Sequence, residues 1–479
     1  MSQNHFVVYY NLEWHDLIED NDKFKYAKFN ISTMEDSDQI ISFQTSDLIR
    51  EYSSRKKSIP QIIDLESLDM QMSQKGRDIR FWGKWSIFRR LVELGIISSY
   101  NDVDDIHLFL RHINTFYDQL IEGAPEEFER FLKVEQDINR IIYEAQARGL
   151  SINKQDIEER CYELENQIYK IKNRFQLQHR IFTPDRKETQ INWLNDNKYK
   201  VYNSAEETFK AHKKNNNICL DFYELIRNIK DYNCYLYMLS HWGGEDRIYP
   251  MYVGFGTITS RITMRQPSIQ NLRKQNRDII KADIGKVLIY VDYSQFEAGI
   301  LASLSKDCEL LKLYESDIYE DLAAFVYNNK DRRSDAKIIF YRYMYGDDSL
   351  NEKTKQYFNR FKDLQRYINS IHIEIEKEGK IGSAIGNYRI AAKDAKVPWA
   401  LSHKIQSTAS LIFKNALIRV NKELKDVDLL IPLHDAALYQ VPESKYTQYE
   451  SILRGIFEDE FQAICPKINA KALICEFCK

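Results

Sequence analysis

Proline and glycine are scarce in this chain, with 9 and 16 among 479 residues. That scarcity excludes collagen-like, linker-like and low-complexity architectures. Cysteine is also sparse: seven residues, an odd count at irregular spacing, do not make the even framework of a secreted disulfide scaffold, so a reducing compartment is expected. The one Cys-x-x-Cys, Cys475 to Cys478, has no second ligand pair and reads as chance, not zinc. Long apolar runs are missing too. None approaches the about 20 residues of a membrane helix, and the mean hydropathy is −0.53. The opening MSQNHFVVYYNLEW lacks a basic start, an apolar core and a small-residue cleavage site, so a soluble, cytoplasmic protein without a membrane partner is expected. An excess of one charge is absent as well: 68 Lys and Arg against 71 Asp and Glu leave −3. This argues against a protein that coats an anionic polymer over its whole surface and leaves room for a local basic groove.

What is present is a well-packed composition, 43% apolar and 29% charged, in a chain of 57.0 kDa, long enough for two to four domains or subdomains. The 31 tyrosines are a heavy load, in company with many Ile, Asn and Lys. The first hundred residues alternate short strand-like pieces, Phe6–Tyr10 and Tyr26–Ile31, with polar stretches, and Ile59–Leu68 reads as turn, strand and turn. A small α/β domain is expected there. At Gly123-Ala-Pro a turn signal opens a region of long helices, and the main boundary is placed at it. Over Gln155–Gln178 the residues Ile157, Cys161, Leu164, Ile168, Ile171 and Phe175 recur at steps of four and three, the pattern of an amphipathic helix. Residues 180–217 are polar and irregular, with a loop tip at Lys213–Asn217.

The chemistry-bearing residues lie further on. Val287–Val291 reads as a buried strand that ends in Asp292. Helical pattern fills Asp307 to Lys377. A second apolar strand, Leu429–Leu433, ends in His434-Asp435 and is followed by Ala437–Val441, which puts the second carboxylate at a hairpin turn. Either acid alone is an ordinary strand-end residue; two brought together repel unless a divalent cation offsets them. Between them, in RRSDAKIIFYRYMYGDD, the residues Arg333, Lys337, Tyr341 and Tyr345 recur every four positions. Four residues turn a helix by about 400°, so the set forms one winding stripe. Two cations followed by two aromatics suit a clamp for a polyphosphate beside a flat surface for a base.

VDYSQFE (291–297), the Arg333 to Gly346 helix and LHDAALYQVP (433–442) resemble the three polymerase motifs of family A DNA polymerases, in the same order. GTITSRITMRQPSIQNL (256–272) is similar to the Thr-x-Thr-Gly-Arg segment of that family, Gln406-Ser-Thr-Ala to its Gln-Gly-Thr-Ala helix, and VEQDINRIIYEAQARGLSINKQ (134–155) to the opening of its thumb. The likeness covers about residues 127–479. Five ordered motifs, with the thumb segment beside them, are far harder to meet by accident than one.

The resemblance implies a right-hand polymerase fold, α/β (α+β) in class, with palm, fingers and thumb. It divides the chain into an exonuclease-like domain at 1–125, thumb and connecting segments at 126–245, palm at 246–310, fingers at 311–404 and the rest of the palm at 405–479. It implies template-directed addition of dNTPs to a primer 3′ end by two Mg²⁺ ions, with Mn²⁺ able to substitute. Asp292, Asp435 and Lys337 would be catalytic; Asp292, Asp435 and the Tyr293 carbonyl would hold metal. Arg333, Lys337, Tyr341, Tyr345, Gln295 and Glu297 would bind the dNTP, with Glu297 excluding a 2′-hydroxyl. Arg261, Gln270, Asn271, Gln406 and His434 would touch primer–template DNA. A monomer is expected; a replisome or processivity partner stays open.

Several positions depart from the family pattern. Ala436 stands where Glu usually follows His-Asp, so a third carboxylate is lost; Ala298-Gly299 replaces Leu-Arg, Ser260 replaces the Gly before Arg261, and Tyr319 lies where a His is frequent. In the N-terminal region, Asn11-Leu-Glu13 has the look of a decayed Asp-x-Glu nuclease motif and Asp64-Leu-Glu66 matches it literally. WGKWSIFRRLVELGI (82–96) has the rhythm of a second exonuclease block with Arg or Phe where Asp belongs, and Tyr100 to Asp104 has the spacing of a third. Proofreading is therefore expected to be absent. Two rivals remain at this stage: a single-subunit RNA polymerase, which Glu297 disfavours, and a catalytically weak DNA-binding scaffold, which the two aspartates disfavour.

Overall fold

The structure, a computed structural model, describes residues 3–20, 23–34, 38–55, 58–74, 85–99, 105–201, 204–242, 244, 246–392 and 397–478. The chain forms two compact units. One comprises Met1–Arg148, Tyr252–Thr263 and Gly285–Cys475; the other comprises Gly149–Met251, Met264–Ile284 and Glu476–Lys479. Among the described residues no helix is long and apolar enough to cross a membrane.

The first unit opens with a five-stranded sheet of β1 (Asn4–Tyr10), β2 (Glu13–Asp20), β3 (Lys23–Lys28), β4 (Gln39–Ser42) and β5 (Gln61–Asp64), in the order β3-β2-β1-β4-β5. The first three strands are antiparallel neighbours, and β4 and β5 run parallel to β1. Phe6, Val8, Leu17, Ile41 and Ile63 from the sheet share a buried core with Leu110, Ile113, Phe116 and Tyr117 of α1 (Ile106–Gly123). The strand read within Ile59–Leu68 is β5, but the expected closing turn is a helix, Leu65–Met72. The cause is local: the Asp64 carboxylate accepts the Ser67 amide at 2.9 Å and caps the first turn. Gly123-Ala-Pro separates α1 from α2 (Pro125–Arg130), which runs through a π-helical turn, Phe131–Glu135, into α3 (Gln136–Arg148).

The same unit contains a four-stranded antiparallel sheet. Its strands are β6 (Lys286–Tyr293), β7 (Asp428–Leu433), β8 (Ala436–Pro442) and β9 (Ala472–Cys475), in the order β7-β8-β6-β9. On one face of β6, Ile289 and Val291 are nearly or fully buried opposite Tyr439 and Ala437, while Tyr290 and Asp292 on the other face are half-buried, so a one-residue slip of β6 would turn its buried pair to the more open face. The helices expected from Asp307 onward are present between β6 and β7.

In the second unit the amphipathic helix is Lys154–His179, with Ile157, Leu164, Ile171 and Phe175 buried. It packs along Asn217–Ser240. Residues 180–217 depart from the expected irregular loop: they contain helices Lys187–Asp196 and Ala205–His212. Both are short and mostly polar, so their periodicity is faint; what holds them is an aromatic cluster in which Phe222 lies 4.4 Å from Phe175, 4.5 Å from Phe209 and 5.4 Å from Trp193.

Candidate active site

Strand β6 delivers Asp292 at its penultimate position, and the β7–β8 hairpin delivers Asp435 at its turn. The register sets Asp292 opposite Ala436, and the Tyr293 amide donates to the Asp435 carbonyl at 3.2 Å. The two acids therefore stand at adjacent strand ends, both half-buried. The Tyr293 ring anchors this end, stacked on Phe296 at 4.1 Å and set edge-on to Phe461 at 5.5 Å. His434, next to Asp435, is exposed and has φ +24°. Among the described residues no group of three His, Cys, Asp or Glu is placed to share an ion. What remains is a pair of carboxylates, hard oxygen donors of the kind Mg²⁺ takes.

The cationic stripe lies on α4 (Arg333–Met344), counting α1 to α3 before it, and the helix stops at Gly346. That stop demands glycine twice over: φ is +71°, and a Cβ would come within 2.6 Å of the Pro398 carbonyl. Arg333 donates through Nε to Asp317 at 2.8 Å. Asp317 also caps the helix Ile318–Tyr327 through the Tyr319 and Glu320 amides. The buried Tyr319 ring lies beneath both cations, 5.1 Å from the Arg333 guanidinium carbon and 5.7 Å from Lys337 Nζ. Lys337 Nζ is 6.0 Å from the Tyr341 ring, and Tyr341 and Tyr345 stack at 6.4 Å. Tyr319 thus supplies π faces where an imidazole would supply a donor.

Facing this stripe, Glu297 sits buried in the first turn of Phe296–Ser305 and pairs with Arg261. Burial pushes the Glu297 carboxyl upward; Arg261 opposes that rise, Asp435 adds to it, and the net shift is up. Burial would lower the Arg261 guanidinium, but the Glu297, Tyr345 and Asp435 charges raise it. Burial, with the Glu297, Tyr319 and Asp435 charges, also drives the Tyr341 phenol far up, so it stays protonated. Asp435, Arg261, Glu297, Lys337 and Tyr341 are thus near enough to feel one another's charge. Gln406 donates to the Tyr345 hydroxyl at 2.6 Å. Gly299, behind Glu297, is required by close packing: a Cβ there would meet Tyr314 at 2.6 Å.

Some expected ligands are otherwise engaged. The Gln295 side chain donates to the Tyr314 carbonyl at 3.3 Å and accepts the Ile318 amide at 2.9 Å, so it holds backbone. Gln270 and Asn271 belong to the second unit, where Gln270 accepts the Met264 amide and the Asn271 carbonyl accepts from Arg227. Among the described residues, the acids of the exonuclease-like positions have other partners. Asn11 and Leu12 form the β1–β2 turn, with φ of 49° and 67°, and Glu13 pairs with Lys28 at 2.6 Å. Asp64 is spent on its cap and on the Thr45 hydroxyl. Arg90, within the second block, pairs with Asp69 at 2.7 Å. Residues 82–84 of that block and Tyr100 to Asp104 lie outside the described residues.

Sequence reasoning missed Asp317 and a buried charge cluster of Arg130, Glu135 and Lys414 around Ser260. The available signal was Lys414 itself, a lone cation inside the apolar stretch of the helix Ala400–Glu423.

Comparison with known proteins identifies the family and the fold. Residues 142–472 match the sequence profile of DNA polymerase family A. The chain is 25% identical over 295 residues to DNA polymerase I of Helicobacter pylori, covering 54% of this chain and 33% of that protein. It is 23% identical over 417 residues to DNA polymerase I of Caldicellulosiruptor bescii, covering 72% and 47%. With DNA polymerase theta of Caenorhabditis elegans the identity is 30% over 220 residues, covering 39% and 13%. The chain thus spans between a third and a half of the length of the two polymerase I proteins. Its fold matches the POL domain of Pol1 from M. smegmatis, solved in complex with DNA primer-template and dNTP, at a TM-score of 0.77 and 17% identity over 99% of this chain and 94% of that one.

Proposed function

The chain belongs to DNA polymerase family A, and from that premise we propose that it extends the 3′ end of a primer on a DNA template with dNTPs. The observation that carries the reading is the adjacency of Asp292 and Asp435 at neighbouring strand ends, supported by the charge of Asp435 acting on Glu297 and Tyr341. Asp292, Asp435 and the Tyr293 carbonyl would hold two Mg²⁺ ions, which supply acidification of the primer hydroxyl and charge neutralisation at the leaving pyrophosphate.

The chain's own residues do the rest. Lys337 and Arg333 meet the triphosphate, and Lys337 can protonate the departing pyrophosphate. Tyr345 walls the nascent base pair and Tyr341 lies beneath the sugar. Glu297, held by Arg261, fills the space a 2′-hydroxyl needs, which favours dNTPs over rNTPs. Arg261 and Gln406 face the minor-groove side of the primer–template and His434 the primer terminus; Gln270 and Asn271 are DNA-contacting residues of the second unit. The segments take the roles of palm, fingers and thumb, and the N-terminal sheet is an exonuclease-like domain without proofreading.

Primer extension tests this, with dNTPs and rNTPs supplied separately on DNA and RNA templates. Wild type should extend with dNTPs on DNA, and Asp435→Ala should fall by about a hundredfold to a thousandfold. Equal, absent extension in both proteins would favour a DNA-binding scaffold; equal use of rNTPs would favour an RNA polymerase.

A further inference from the structure

Ser260 occupies a backbone conformation that side-chain-bearing residues avoid, φ +62°, and it is completely buried. Its hydroxyl uses its full hydrogen-bonding capacity: it donates to Glu135 Oε1 at 2.9 Å and accepts from Lys414 Nζ at 2.5 Å and Arg130 Nη2 at 3.2 Å. Lys414 is equally committed, since its ammonium also donates to Glu135 Oε2 at 2.5 Å and to the Gly254 carbonyl at 3.1 Å. Arg130 reaches Glu135 at 3.0 Å and, on its other side, Ser383 Oγ at 3.3 Å and the Ile385 carbonyl at 2.5 Å. The π-helical turn Phe131–Glu135 brings Glu135 into this group, and Arg130, Glu135 and Lys414 are all buried.

The cluster holds the residue that precedes Arg261 in the chain. The Ser260 carbonyl accepts from Ser410 Oγ at 2.7 Å, the Arg261 amide donates to Thr257 Oγ1 at 3.1 Å, and the Arg261 carbonyl accepts the Gly256 amide at 3.0 Å. The loop 256–261 is thus tied at every turn, and it ends in the guanidinium that pairs with Glu297. Two buried cations around a single hydroxyl are costly to desolvate and would give way to apolar packing if filling space were their only task.

Resting on the polymerase reading above, we propose that Lys414, Arg130 and Glu135 are positioning residues. Through the Ser260 hydroxyl they fix the 256–261 loop, hold Arg261 on Glu297 and thereby set how strongly a ribonucleotide is refused. Where glycine would reach the same backbone conformation freely, this chain builds it from a serine and a buried ion cluster.

Lys414→Met, close in volume and uncharged, tests the proposal. Amide hydrogen exchange over 256–261 should quicken by about tenfold, and the dNTP over rNTP ratio of kcat/KM should fall by about tenfold. In an Arg261→Ala background the same substitution should leave that ratio within about twofold, because the effect passes through Arg261. A folded Lys414→Met protein with unchanged exchange and unchanged ratio overturns the proposal, as do effects of the two substitutions that multiply. If Lys414→Met does not fold, Ser260→Ala removes the hydroxyl alone and is read by the same measurements. Wild type that extends no primer would sink the polymerase reading, and exchange over 256–261 would still decide the positioning.

Discussion

Arg333 and Tyr341 show how far a side chain's use depends on its immediate neighbours. Arg333 is paired with Asp317, so in the proposed function a triphosphate would have to compete for it. Asp317→Asn keeps a capping oxygen for the Ile318–Tyr327 helix and removes the charge. A partly exposed pair of this kind contributes about 0.2–1 kcal/mol, so the KM for dNTP should drop by up to about fivefold in steady-state extension. In the proposed function Tyr341 would offer, near the sugar, a protonated hydroxyl that Phe lacks. Wild type should accept 2′,3′-dideoxynucleotides readily, and Tyr341→Phe should discriminate against them by about tenfold more, as one lost hydrogen bond allows. Strong discrimination in wild type that the substitution leaves unchanged removes this role for the phenol.

Among the elements, helix α1 carries an acid in an unfavourable place. Burial, with the Glu19 and Glu122 charges, pushes the Asp118 carboxyl up to about 6 from an ordinary 3.8. The native state therefore holds a proton that the unfolded chain has released between those values, so stability declines as pH rises through this window. Asp118→Asn should raise stability at pH 7 by about 1 kcal/mol, after discounting for solvent screening, and change nothing below the ordinary carboxylate range. Denaturant melts at both pH values read this directly. In the second unit, the aromatic cluster that holds the two short helices together centres on Phe175 and Phe222. Phe175→Ala should destabilise that unit by about 3–5 kcal/mol, seen as early loss of helix signal on heating.

For the molecule as a whole, the N-terminal sheet matters through what its acids are doing. Asp64 caps a helix, Glu13 holds Lys28, and Asp69 is taken by Arg90. Each of these carboxylates is engaged by a neighbouring group. A labelled primer incubated with the protein and Mg²⁺ in the absence of nucleotides should keep its full length; shortening by single nucleotides from the 3′ end would restore a working nuclease.

Features written in local periodicity were readable from the chain alone. The amphipathic stripe from Ile157 to Phe175, the two apolar strands that end in Asp292 and Asp435, and the fourfold spacing of Arg333, Lys337, Tyr341 and Tyr345 each follow from the geometry of one element. Partnerships across the chain were not. Lys414 finds Glu135 and Ser260, Arg333 turns to Asp317, and Gln295 spends its amide on backbone. Pairing of that kind depends on which surfaces folding buries against each other, since a charge removed from water must take whatever partner the packing brings within reach.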